Sequence, residues 1–342
     1  MAHHDAGPYL RPALDSVFGQ TLADFELIVV DDCSGDGGYD YLRALRDPRV
    51  TLIRNPRNIG QTASLNIALE HARAPFVARF DADDVCEPDR LRRQVEFLER
   101  NRAIDLLGTQ VSYIDAEDRP LGTSRLPTDP GSVWAHSLLQ APFVHPAVML
   151  RGSMIRELGI RYDERYINQD FELWSRLLPA HAGANLGEAL LRYRIHDQSM
   201  TVRHLEENLR SSLEIVERRL EREGLREAIS LEEIDAMLRY LFADRAIADG
   251  AGVDRLALAE RYWRFCTLIA RERGIRGNFL GLAARRVVQS GVWPRGLASV
   301  PGRLALLARL CFETPGAVAL VLCDGFAWAA RRLMRSHPVA SR

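Results

Sequence analysis

The densest group of side chains able to do chemistry is the string Phe80-Asp81-Ala82-Asp83-Asp84, directly after the apolar run 75–80. That run reads as a buried strand, so the acids sit where the chain leaves a sheet. Side chains alternate between faces along an extended chain, and Asp81 and Asp83 are therefore expected to converge. Converging carboxylates repel unless a proton or a cation lies between them, and a hard divalent ion that also holds a diphosphate is an economical occupant. The competing reading is a helix N-cap. Pro88-Asp89-Arg90-Leu91 opens a helix shortly afterwards, and Asp83 or Asp84 could begin it. A second acidic pair, Asp31-Asp32, closes the apolar run Phe25–Val30, and Asp170 opens the apolar-periodic stretch 171–178. For these three, a turn or cap stands open beside a chemical role.

The elements that must position these acids alternate along the first half of the chain. Helical spacing covers 9–20, 39–46, 61–71 and 88–100, and strand-like runs cover 25–30, 50–53 and 75–80. The strands are continuous apolar runs rather than alternating ones. This predicts an α/β fold, a mainly parallel sheet flanked by helices on both faces. In such sheets ligands sit beyond the carboxyl ends of the strands, where Asp31-Asp32 and Asp81/Asp83 lie. Further strands are expected over 106–114, 147–150 and 189–195, and a helix over 167–178. From about 202 only helices are expected, over 205–223, 231–248 and 256–273, followed by two more apolar ones. The boundary is placed near 200, giving a sheet domain over 1–200 and a helical region over 201–342.

Composition narrows the classes. With 342 residues and 47% apolar content, the chain can bury a sizeable core. All 45 basic residues are arginine. Residues 271–342 hold 12 arginines against Glu272, Glu313 and Asp324, beside an acidic remainder, which points to an anionic partner for the tail. Cys33, Cys86, Cys266, Cys311 and Cys323 are scattered without paired spacing. Neither a disulfide framework nor a zinc site is expected, and a reducing cytoplasm fits.

Taken in order, the strings 9–21, 25–36, Asn55-Pro-Arg-Asn-Ile-Gly60 with Asn66, 80–84 with 88–91, 145–151, Gln169-Asp-Phe-Glu-Leu-Trp174 and Tyr193-Arg-Ile-His196 resemble the family-2-like glycosyltransferases with the GT-A fold. The resemblance implies inverting transfer of a sugar from a nucleotide-diphosphate donor, with a UDP-sugar as the expected donor and Mg²⁺ or Mn²⁺ as cofactor. It implies that Asp32 reaches the base of the nucleotide with Asp31 alongside, and that Asn66 lies in the same nucleotide-sugar site. Asp81 then faces the ribose, Asp83 binds the metal bridging the phosphates, and His196 lies close to metal or diphosphate. Asp170 matches the general base that deprotonates the acceptor hydroxyl. Bland alternatives stand beside these: Asn66 as a packed helix residue, His196 as a strand-end surface histidine, His145 as a structural loop residue and Trp174 as core. Two departures matter. The family opens with an apolar strand, whereas this chain begins Met-Ala-His-His-Asp, so the first strand is expected to be missing and the domain N-terminally truncated. The usual glutamate before the base is Gln169.

The acceptor implied is a glycan or a lipid-linked sugar in surface polysaccharide or glycolipid synthesis. The alternative is an inactive relic that binds nucleotide sugars as a subunit. A sugar nucleotidyltransferase would want an early Gly-rich phosphate loop, and the chain has none. Nucleic acid is not expected as a partner, because the basic tail lacks aromatic interleaving. The apolar stretches 304–310 and 317–322 are flanked by Arg303, Arg309, Arg331, Arg332 and Arg335. They are too short to span a bilayer and suit either an interfacial helix on an anionic membrane surface or a helical hairpin packed on its own domain. The expected location is cytoplasmic, peripheral at the inner face of the cell membrane.

Overall fold

The computed structural model describes residues 1–196, 204–239, 255–275 and 279–287. The chain divides into two compact units, Met1–Arg219 and Leu220–Arg342.

The first unit opens on a parallel sheet of three strands, β1 (Ala2–His3), β2 (Leu27–Asp31) and β3 (Val50–Arg54), in that order. Helix α1 (Leu10–Phe18) buries Leu10, Ala13, Leu14 and Val17. This spacing puts one apolar stripe against Leu27 and Val29 of β2 and Leu42 of α2 (Gly38–Ala44). Helix α3 (Gln61–His71) then leads to a second sheet built from β4 (Phe76–Ala78), β5 (Val85–Cys86), β6 (Leu106–Ile114), β7 (Pro120–Thr123), β8 (Met149–Arg151) and β9 (Gly183–Arg194). Its order is β4-β8-β6-β9-β5, with β7 on β6. Between these strands lie α4 (Arg90–Arg100), α5 (Pro130–His136), α6 (Gly152–Leu158) and α7 (Gln169–Leu177), and α8 (Leu205–Arg222) follows β9.

Two expectations need correction and one needs detail. The sheet is parallel through β1–β2, β2–β3 and the long β6–β9 pairing, as expected, but β4–β8, β6–β8, β5–β9 and β6–β7 are antiparallel. An apolar run reports that a strand is covered on both faces, as β6 is, and covered strands look alike whichever way their neighbours run. The opening strand is abbreviated rather than absent. Ala2 and His3 pair in parallel register with Val30 and Asp31, and the Met1 amino group donates to Ile28 O at 2.9 Å. Two residues lie below the length at which a sequence pattern is legible. Strand β9 starts six residues before the apolar run at 189, because its polar start pairs with Leu106–Thr109 ahead of register shifts opposite Thr109–Val111.

In the second unit every described element is helical. Helix α9 (Leu231–Met237) begins at a capping box between Ser230 and Glu233. Helix α10 (Arg255–Glu272) buries Ala259, Tyr262, Trp263, Cys266 and Ile269 along one stripe, and α11 (Phe279–Val287) follows. The stretches 304–310 and 317–322, with their arginines, lie outside the described residues. Among the described residues no helix is long and apolar enough to cross a membrane.

Candidate active site

Strand β2 ends in two buried acids. Asp32 accepts hydrogen bonds from Asn55 Nδ2 (2.8 Å), the Ile59 amide (2.9 Å) and the Gly60 amide (2.8 Å). Gly60 sits at φ 93°, a conformation that favours glycine, and thereby aims its N–H at the carboxylate. Asp31 faces Arg54 Nε at 3.3 Å, the Ser34 amide at 3.3 Å and the buried His3 ring at 3.8 Å. Both carboxylates are thus engaged within the protein, and Asp32 orders the loop 55–60. Asn66 is engaged too. Its Nδ2 donates to Tyr162 O at 3.0 Å, and its Oδ1 accepts from the Tyr162 amide at 2.8 Å. The amide therefore ties α3 to the segment before α7.

The second acidic group behaves otherwise. Helix α4 begins at Arg90, after Asp89, so neither Asp83 nor Asp84 is an N-cap. One carboxylate oxygen each from Asp81, Asp83 and Asp84 lies within 4.8 Å of the others. Strand β4 ends at Ala78, so strict alternation does not extend to these residues, and the turn brings in Asp84, which the strand argument placed on the opposite face. Asp84 is buried. Its Oδ1 accepts from the Arg194 amide at 2.9 Å, and its Oδ2 has no hydrogen-bond partner. Burial pushes Asp84 well above the usual carboxylate range, and the charges of Asp81 and Asp83 push the same way. Burial also raises Asp81, against the pull of Arg79. Asp83 is the more open of the three, and its Oδ2 lies 3.1 Å from His196 Nε2. The His196 ring packs on Tyr9 with centroids 5.3 Å apart.

Two arginines hold this turn, and neither was singled out as a site residue. Arg79, 6% exposed, forms an ion pair with Asp81. Its own carbonyl accepts from Arg90 Nη2 at 2.7 Å. A charged residue inside an apolar strand run is the signal that marks it. Arg194 stands inside the Tyr193-Arg-Ile-His196 string, two residues before the histidine.

Asp170 lies in the first turn of α7, after Asn168 at the cap position, so it is not the cap. Burial raises it above the carboxylate range, opposed by the Phe171 amide and by Arg79. His145 is buried, with Nε2 2.8 Å from Tyr162 Oη. Burial and then Arg79 hold it well below the usual histidine range. Trp174 is fully buried core.

The donor set fits a hard divalent cation. Three carboxylates offer oxygens within one coordination sphere's reach, and one buried oxygen lacks a partner.

The profile of Glycosyl transferase family 2 matches residues 1–153. An uncharacterized glycosyltransferase of Methanocaldococcus jannaschii is 32% identical over 203 residues, covering 56% of this chain and 68% of the relative. The O-antigen biosynthesis glycosyltransferase WbnJ of Escherichia coli is 30% identical over 209 residues, covering 58% of this chain and 79% of the relative. Among solved structures, S. aureus TarS in complex with UDP-GlcNAc aligns with a TM-score of 0.55 over 92% of this chain and 90% of that one. At 14% identity this likeness is one of fold.

Proposed function

The chain belongs to glycosyl transferase family 2 and is a glycosyltransferase, and from that premise we propose that it transfers a sugar, with inversion, from a UDP-sugar to a hydroxyl of a glycan or lipid-linked acceptor in surface polysaccharide synthesis. The observation that carries the proposal is the convergence of Asp81, Asp83 and Asp84 beside His196. Carboxylates brought together in this way are stable only with a proton or a cation among them.

In this reading Asp83 and His196, with Asp84 beside them, hold Mg²⁺ or Mn²⁺. When bound, the ion supplies Lewis-acid stabilisation of the departing diphosphate. Asp81, anchored by Arg79, faces the ribose. Asp31 and Asp32 frame the base from the end of β2, Asp32 by ordering the loop 55–60. Asp170 accepts the proton of the acceptor hydroxyl as that oxygen attacks the anomeric carbon. Its elevated affinity for protons helps it complete the transfer, and Gln169 adds no second charge beside it. WbnJ is named for O-antigen biosynthesis and TarS was solved with UDP-GlcNAc; these supports favour a polysaccharide acceptor and a uridine donor.

The test is UDP-sugar turnover by the purified chain with Mn²⁺ and with EDTA, alongside the Asp170→Asn variant. Metal-dependent turnover that falls by about 10²–10⁴ in the variant, with UDP affinity retained, is expected. Binding of UDP without any turnover would favour the nucleotide-sugar-binding subunit instead.

A further inference from the structure

Arg194, the last residue of β9, is 3% exposed and joins three separate parts of the first unit. Its backbone N–H donates to Asp84 Oδ1 at 2.9 Å, and its Nε donates to the Asp83 carbonyl at 2.8 Å. Its Nη1 donates to the Asp115 carbonyl at 3.0 Å and to that of Ala116 at 3.4 Å. Its Nη2 donates to Asp118 Oδ1 at 2.7 Å. The guanidinium also lies 4.6 Å from the ring centroid of Tyr9, the ring on which His196 packs.

The sheet register explains this placement. Val85 pairs with Arg192 and Cys86 with Leu191, so β9 runs out alongside the carboxylate turn and delivers residue 194 next to Asp83 and Asp84. The guanidinium then spans from that turn to the β6–β7 turn. Its charge partner there is unusual. Asp118 adopts φ 62°, the left-handed region that a side chain occupies at a cost, and from that backbone it meets the buried cation. The other acids of the turn are taken by Arg119: Asp115 through its Nε at 2.6 Å and its amide at 2.9 Å, and Glu117 through its Nη2 at 2.7 Å.

We infer that Arg194 and Asp118 form a positioning pair: the Arg194 guanidinium, anchored by Asp118, fixes the Asp83 carbonyl, beside the Asp84 carboxylate that the Arg194 backbone N–H holds, so that Asp83 and His196 face one cation site. The inference rests on the reading of the carboxylate turn as that site. Neither residue touches the reacting atoms. Partners one shell out from a metal's ligands set ligand orientation, and losing them typically costs about 10–100-fold in metal affinity.

The experiment titrates Mn²⁺ alone into the full chain, following loss of the free-ion electron paramagnetic resonance signal, with the metal-free melting temperature measured in parallel. The variants are Arg194→Lys, Arg194→Met and Asp118→Asn, with Arg119→Ala as the control in the same turn. Arg194→Met is expected to weaken Mn²⁺ binding by about 10–100-fold. Asp118→Asn, on the exposed side of the pair, is expected to weaken it roughly fivefold. Arg194→Lys keeps the charge but not the fork of donors and is expected to fall between them. The control is expected to bind as wild type does. Should Arg194→Met melt early, Asp118→Asn, which changes no buried volume, still decides. Wild-type affinity in Asp118→Asn and Arg194→Lys, or equal weakening in the control, overturns the pair while leaving the cation site standing. Absence of Mn²⁺ binding by the wild type overturns both.

Discussion

At the end of β2, Asp32 receives three hydrogen bonds from Asn55, Ile59 and Gly60, whereas beyond β4 a buried oxygen of Asp84 receives none. Both places are acidic clusters following an apolar strand, at the edge where a ligand is expected in such a sheet. Their energetics run in opposite directions. At the first, a buried charge is surrounded by donors, and removing it would strand them. At the second, like charges are crowded and desolvated beyond what the Arg79–Asp81 pair offsets, so the cluster costs stability until a further positive charge enters. Acids that build the fold and acids that wait for a partner are told apart by where the donors point.

Three substitutions can break or sharpen this contrast. The largest effect belongs to Asp83→Ala. It deletes a half-open ligand rather than core volume, so Mn²⁺-dependent UDP binding should fall on the order of 100-fold while the melting temperature holds. Calorimetric titration with UDP and Mn²⁺ checks this, and unchanged affinity would remove Asp83 from the site.

Next, Asp32→Ala should destabilise the fold by about 2–3 kcal/mol in urea unfolding, because buried Asn55 and two loop amides lose their acceptor. A loss of nucleotide affinity with no loss of stability would mean that Asp32 acts on the ligand directly and not through the loop.

Asp84→Asn should have the smallest effect and the opposite sign. Burial, then Asp81 and Asp83, raise the Asp84 carboxyl, so the folded state holds this proton more tightly than the unfolded chain does. The stabilisation from that proton is fully present below the unfolded value of about 3.9 and is lost as pH rises through the elevated folded value. In EDTA, Asp84→Asn should therefore match the wild type near pH 4. By pH 8 it should be the more stable. Melting temperatures across that range measure it, and a pH-independent difference would contradict the origin assigned to the shift. Saturating Mn²⁺ should reverse the order.

Helix spacing was the most legible feature of the chain. The positions of α1, α4 and α7 follow from apolar residues recurring every three or four places, a local property that burial on one face imposes. The convergence of Asp81 and Asp83 was legible as well, because residues so close along the chain have little room to separate. Strand direction was not legible: β6 is covered on both faces, and coverage carries no sign of whether β8 or β9 runs with it or against it. The two-residue β1 was too short to leave a pattern. Sequence also gave no sign of which of Asp32 and Asp84, each second or later in an acidic string after a strand, would be surrounded by donors. Only tertiary structure separated them, by folding the loop 55–60 over one and by carrying Arg194 to the other from a strand more than a hundred residues away along the chain. Hydrogen-bond donors act over about 3 Å of space, and which donor lies within that distance of a given carboxylate is settled by the packing of distant segments, not by the neighbours in sequence.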